Sequence, residues 1–391
     1  MRWKFFTPDE SPEEGRARSA ALARIEEWWQ AFSARTDDLE RFFDNQAQWD
    51  LAGWMQQHLQ GIDPRLMWEF GPGRNQGHRL IITPEGEHHL RPLVDEIITR
   101  APQLPGWLFF NHRTPEPPGQ MARTVLSRSG LEPAFTAVAL APGELNRIDL
   151  TFQFPAGFLE YQRPVAHTQA VIAAESLLGE DMLGDWLGKL DAQARVTQPI
   201  ALSSLPRTFA ALAGTQRAKI PGEPFLDRID TLPRTTVELN PNLAEDYAHR
   251  YDLRWAHTSA PELWRNAHSD QRFWSGRFSR SEEMFCYLKI DRGATESTPR
   301  PDHHIRFEAP LDGALRARRY GCVIGAGTGL RYTYLDLALL DMDGALRRLR
   351  KLLQHAGVSH RAWLQFFDSS LGGEWIGMWP DSPPPPMPWN S

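Results

Sequence analysis

Between residues 319 and 379 the chain changes hydrophobic period so regularly that few arrangements except helix laid on sheet accommodate it. Gly321-Cys322-Val323-Ile324 is a short apolar run, broken by Gly325, Gly327 and Gly329. Residues 332 to 339 follow with the sequence Tyr-Thr-Tyr-Leu-Asp-Leu-Ala-Leu, rich in strand formers. Asp343 stands where a helix N-cap is expected. Leu346, Leu349, Leu352 and Leu353 then fall at helical spacing until Gly357 supplies a C-terminal stop. Residues 362 to 367 return as a strand and residues 375 to 379 as another.

The same grammar recurs upstream. Residues 16 to 60 read as helices, with Leu22, Ile25, Trp28, Trp29 and Phe32 on one face and Leu39, Phe42 and Phe43 opening a second amphipathic stretch. Residues 67 to 70 and 79 to 83 read as strands. A helix follows from about residue 85 to 101, and Trp107-Leu108-Phe109-Phe110 is the next strand. This strand–helix–strand order, ending in Trp-Leu and a Phe pair, matches the C-terminal stretch. A third such unit combines a strand at 148–154 with a helix at 167–178, and a further helix is expected at 205–213. Residues 214 to 245 are rich in proline and charge and read as a junction. The expected fold is therefore α+β: strand–helix–strand units forming mainly antiparallel sheets with helices on one face, preceded by an N-terminal helical segment. The expected partition is a helical segment at 1–64, a first α/β domain at 65–215, a linker at 216–245, a second α/β domain at 246–380 and a Pro-rich tail at 381–391. Proline cannot continue a helix or a central strand, so that tail is expected to be extended and exposed.

Composition removes several functional classes. A net charge of −6 argues against a general nucleic-acid binder. No run approaches the roughly 18 apolar residues needed to cross a bilayer, and the opening residues lack the apolar core of a signal peptide. Cys286 and Cys322 are the only cysteines, too few for a disulfide framework, and the expected setting is reducing and cytoplasmic.

Leu80-Ile81-Ile82-Thr83-Pro84-Glu85-Gly86 and Ala101-Pro102-Gln103-Leu104-Pro105-Gly106-Trp107, with Ser176-Leu177-Leu178-Gly179-Glu180 and Leu202-Ser203-Ser204-Leu205-Pro206, resemble motifs of uncharacterised bacterial proteins. The resemblance covers about residues 65–215. It implies a bacterial cytoplasmic origin and a mixed α/β fold, and it assigns no catalytic residue.

Motifs that carry chemistry are sparse. Gly325-Ala326-Gly327-Thr328-Gly329 follows a strand, but a dinucleotide loop needs a helix next and here a strand follows, so a glycine hairpin or bulge is expected. His88 and His89 lie about 100° apart on their expected helix and make no i, i+4 pair. Asp302-His303-His304 precedes Ile305-Arg306-Phe307, read as a short strand, with Glu308 beyond it. Adjacent strand residues face opposite ways, so His303 and His304 would not share a metal, and neither a metal site nor a cofactor is expected. Asp149 and Asp336 each sit between apolar strand residues, where alternation turns them outward to solvent or to an acidic binding face; Trp375 is a third binding candidate.

Three readings follow. The first is a non-catalytic protein that binds another protein, in an immunity-like or antitoxin-like manner, through acidic and aromatic surface. The second is a hydrolase using His303, His304 or Glu308 in a cleft between the two halves. The third is a scaffold that self-associates through residues 16–60.

Overall fold

Alternation along the strand Met284–Asp291 sets which way the large sheet faces. In the computed structural model, which describes residues 1–7, 11–73, 77–293 and 304–388, Cys286, Leu288 and Ile290 enter one apolar core. Tyr287, Lys289 and Asp291 therefore lie on the opposite face. The sheet has seven strands, in the spatial order Trp375–Gly377, Ala362–Phe366, Met284–Asp291, Tyr332–Leu339, Gly321–Gly329, Leu253–Thr258 and Thr235–Glu238. Every neighbouring pair is antiparallel. The helices Ile305–Arg316 and Met342–His355 cover the apolar face with Phe307, Leu311 and Leu315 from the first and Ala345, Leu349 and Leu353 from the second. The second helix is capped by Asp341, whose carboxylate accepts the Gly344 N–H, while Asp343 lies in its first turn; the cap is two residues earlier than expected.

The glycine-rich segment is a bulged strand, as the missing helix after it required. Its register against Tyr332–Leu339 slips between Val323 and Gly325. The glycines continue the strand instead of ending it, and all nine residues from Gly321 to Gly329 are buried.

The N-terminal helices close on a second sheet, ordered Met67–Pro72, His78–Thr83 and Trp107–Phe110. Its first pair is antiparallel and its second parallel, with the helix Arg91–Thr99 as the crossover. Ser11 caps the helix Pro12–Ser33, where proline occupies an early position that needs no N–H. Its stripe of Ile25, Trp28, Trp29 and Phe32 is buried with Leu80, Ile82 and Trp107, and Trp29 Nε1 donates to the Ile97 carbonyl at 2.8 Å. That apolar face is thus used inside the chain, each large side chain contributing about 2 kcal/mol.

Compact packing divides the chain differently from the linear partition expected. One unit gathers Met1–Asn111, Phe225–Pro261 and Glu283–Ser391; the other gathers His112–Pro224 and Glu262–Glu282. The expected 65–215 domain is divided at Asn111, and the expected 216–245 linker supplies the helix Phe225–Arg228 and the edge strand Thr235–Glu238. Edge strands are short and polar, so composition alone reads them as linkers.

The second unit has its own sheet, ordered Ala137–Pro142, Ile148–Gln153 and Leu187–Gln193. The helix Ala156–Leu178 packs on it through Ala166, Ala170, Ala173 and Leu177. This helix starts eleven residues before the expected 167, because Pro164 is absorbed by a kink at Gln162 (φ −133°, ψ 30°). Another helix, Leu205–Lys219, covers the expected 205–213.

The tail departs from expectation as well. Trp363 Nε1 donates to the Pro383 carbonyl at 2.6 Å, and Pro385 and Met387 are buried. Extended proline-rich backbone has free carbonyls, and this stretch offers them to the polar face of the large sheet. Residues 389–391 lie outside those described.

Candidate functional site

The chemistry gathers where the helix Ile305–Arg316 begins over the strand Leu253–Thr258. Residues 305 to 307 are the first turn of this helix and not a strand. Three residues are too few to separate the two periods, but Phe307, Leu311 and Leu315 recur every fourth position and are buried. Helical geometry puts His304, at the N-cap, and Glu308, in the first turn, on one face. A strand would have spread them apart. His257 approaches from the sheet, where its strand position opposite Ala326 directs it to the helix-covered side.

The three side chains meet. His257 Nε2 lies 3.0 Å and His304 Nε2 lies 3.7 Å from the same oxygen, Glu308 Oε2. One ligand atom from each residue falls within 4.8 Å of the others. His304 is buried, and His257 and Glu308 are largely so. Arg234 Nη2 holds the other oxygen, Glu308 Oε1, at 3.0 Å. Burial pushes the Glu308 carboxyl up, but the hydrogen bond from His257 and the positive groups facing it leave it below the usual glutamate range. The His304 ring also approaches Thr328 Oγ1 at 3.4 Å through Nδ1. His257 Nδ1 is buried without a hydrogen-bond partner among the described residues, and a buried unsatisfied nitrogen calls for an explanation.

Glu308 is shared with a pocket of about 660 Å³ whose charged wall is Asp230, Arg234, Glu308, Asp312 and Arg316. A larger hollow of about 1040 Å³ runs along Pro12–Ser33, with Glu26 and Arg100 as its charged lining. Among the described residues its lining brings no histidine–carboxylate cluster together, whereas the smaller pocket borders one.

The remaining sequence candidates have other placements. His303 lies outside the described residues. Asp336 does not face solvent: it is buried beside Arg250, and burial raises its carboxyl against the pull of that guanidinium. The glycine opposite it, Gly325, lets the strands close over its face. Asp149 belongs to the second unit, where its carboxylate accepts the Lys189 N–H at 2.7 Å. Trp375 is buried under the Arg2 guanidinium, which lies 3.8 Å from its ring centroid. Asp336 and Trp375 are thus buried, while Asp149 is half-buried. His89 pairs with Glu87 and approaches Arg65. Cys286 and Cys322 are free, buried thiols pushed upward by burial.

Sequence reasoning found two of the three clustered residues and missed the arrangement. The i, i+4 spacing of His304 and Glu308 was available in the helical stripe that follows them. His257 carried no local signal, since it is brought in by strand pairing with Ala326, 69 residues further along the chain. The chain matches no family model, no curated protein and no solved structure at a significant level.

Proposed function

We propose that this protein is a zinc-dependent hydrolase centred on His257, His304 and Glu308. The observation that supports the reading is the convergence of two imidazole nitrogens on one carboxylate oxygen, at 3.0 Å and 3.7 Å. Zinc bound at about 2.1 Å in tetrahedral geometry spaces its ligands about 3.4 Å apart, so small side-chain adjustments fit the ion. Two histidines and one carboxylate, with a fourth position left for water, is the ligand set of catalytic zinc. The ion would supply an acidified water and a Lewis acid for a carbonyl or phosphoryl oxygen. The chain's own part is to hold the two imidazoles by a helix N-cap and a strand, to keep Glu308 ionised, and to open the centre onto a small-molecule pocket. A protein-binding role, immunity-like or antitoxin-like, has no comparably specific observation behind it.

Calorimetric titration with zinc, and visible spectra of the cobalt form, test this reading. One ion per chain is expected, with tetrahedral cobalt bands. His257→Ala, His304→Ala and Glu308→Ala should each weaken binding at least about tenfold, since even outer partners of metal ligands are worth that much. Chelator-sensitive hydrolysis of ester, amide or phosphoester probes should follow the metal. A wild-type chain that takes up no zinc sinks the proposal, as do three variants that bind it normally.

A further inference from the structure

The pocket beside the cluster carries a charge pattern that a metal would invert. Its wall holds three carboxylates, Asp230, Glu308 and Asp312, and two guanidiniums, Arg234 and Arg316. The sum is one negative charge. A divalent ion on Glu308 turns it into one positive charge, in a cleft where water screens incompletely.

The two arginines are not equivalent. Arg316 is committed to its own neighbours, pairing with Asp230 through both terminal nitrogens and with Asp312 one turn earlier on the helix. Among the described residues Arg234 makes a single ion pair, to Glu308 Oε1, and its side chain remains 65% exposed. That pair is the one a metal would weaken, because the ion neutralises the carboxylate that holds Arg234 in place. The guanidinium is then left at the pocket wall with most of its five donors unspent, in the fork geometry that suits carboxylate and phosphate oxygens. Ile229, Leu232 and Val323, with Ile305 and Ala309, form the apolar part of the same wall. The volume of about 660 Å³ suits a small molecule.

We infer that the pocket takes a small substrate bearing an anionic oxygen group, carboxylate or phosphate, which Arg234 receives once the metal has displaced it from Glu308, with an apolar remainder against Ile229, Leu232 and Val323. This rests on the zinc reading above. Arg234 is a substrate-positioning and specificity residue in this scheme, and in the metal-free chain it acts as a placeholder cation.

The test uses zinc and inorganic phosphate as separate titrants on the full chain. Zinc is titrated first into wild type and Arg234→Gln. The variant should bind zinc as tightly as wild type or more tightly, since a competing cation has been removed; a purely structural role for Arg234 would weaken it. Phosphate is then titrated into the zinc-loaded and metal-free forms. Zinc-loaded wild type should bind phosphate, the metal-free form should bind it at least tenfold more weakly, and zinc-loaded Arg234→Gln should lose about ten- to a hundredfold. Arg234→Lys should recover part of that loss. Phosphate binding that is the same in wild type and Arg234→Gln overturns the inference while leaving the zinc site standing. Absence of zinc uptake in the first titration overturns the zinc reading itself, and the inference with it.

Discussion

Lys289 shows what the second face of the large sheet costs. It is fully buried in the middle of Met284–Asp291, its ammonium donates to the Tyr247 carbonyl, and it sits 4.2 Å from the Tyr332 ring centroid. Burial pulls its titration down from 10.5 to about 8, against the opposing pull of Asp252 and Asp246. The unfolded chain therefore holds one more proton than the folded chain between those two values. Stability should rise with pH across that window, because the penalty for the buried ammonium is complete below the folded value and lifts above it. Raising the pH from about 8 to about 9.5 should stabilise wild type by about 2 kcal/mol relative to Lys289→Met, measured by urea denaturation at both pH values. Parallel pH profiles for the two proteins would show that the amine is not buried as described. Neighbouring groups on this face are hydrogen-bonded or ion-paired: Asp252 accepts the N–H groups of Arg331 and Tyr332, and Asp291 pairs with both Arg331 and Arg361. The face is polar, yet its groups are spent on one another.

At the scale of elements, the glycine-rich strand and the site helix decide most. Gly325, Gly327 and Gly329 lack side chains where Gly321–Gly329 passes the strand Leu253–Thr258 and the residues before it. A Cβ on Gly327 would stand 2.6 Å from Leu253 Cδ1 and 2.8 Å from the Trp255 carbonyl oxygen. The second contact is backbone and cannot swing away. Gly327→Ala is expected to destabilise the protein by about 1–3 kcal/mol, as overpacked cores do. Gly214→Ala is the control, since Gly214 lies in the helix Leu205–Lys219 with nothing within 4 Å of the added carbon. There the change should stabilise by about 0.5–1 kcal/mol through helix propensity. Chemical denaturation of both variants checks the pair, and equal effects would refute the close approach. The site helix carries the complementary lesson. Its buried Phe307, Leu311 and Leu315 fix its rotation, and that rotation is what aims Glu308 at His257.

Across the whole molecule, the candidate centre joins pieces that are remote in the chain. His257 lies in Phe225–Pro261 and Glu308 in Glu283–Ser391, two of the three segments that build the first unit. A ligand that bridges them binds the folded chain and not the unfolded one, so zinc should stabilise by mass action. At a free zinc concentration about a hundred times its dissociation constant, the gain is about 2.7 kcal/mol, seen as a rise in Tm that a chelator reverses. Glu308→Ala should abolish that rise. A zinc-induced shift of the same size in Glu308→Ala would place the ion elsewhere. No helix among the described residues is long and apolar enough to cross a membrane.

The sequence by itself determined the local elements and the fold class. Period changes gave the α+β character, the stripe of Trp28, Trp29 and Phe32 was readable as core, and the strand following Gly329 was enough to set aside a nucleotide loop. These follow from interactions within a few residues, where side-chain spacing and backbone conformation speak directly. Boundaries were less legible where two signals competed, as at Asp341 against Asp343 and at Pro164 inside its helix. Only the tertiary structure decided what the polar groups do. Asp336 reads as an outward residue until Arg250, 86 positions earlier, is found beside it. Thr235–Glu238 reads as linker until the strand Leu253–Thr258 offers it a ladder. His257 reads as an ordinary strand residue until the first turn of Ile305–Arg316 brings His304 and Glu308 to it. Each of these depends on pairing between distant segments, which local periodicity does not encode, because what it reports is which face of an element is buried and not what that face is buried against.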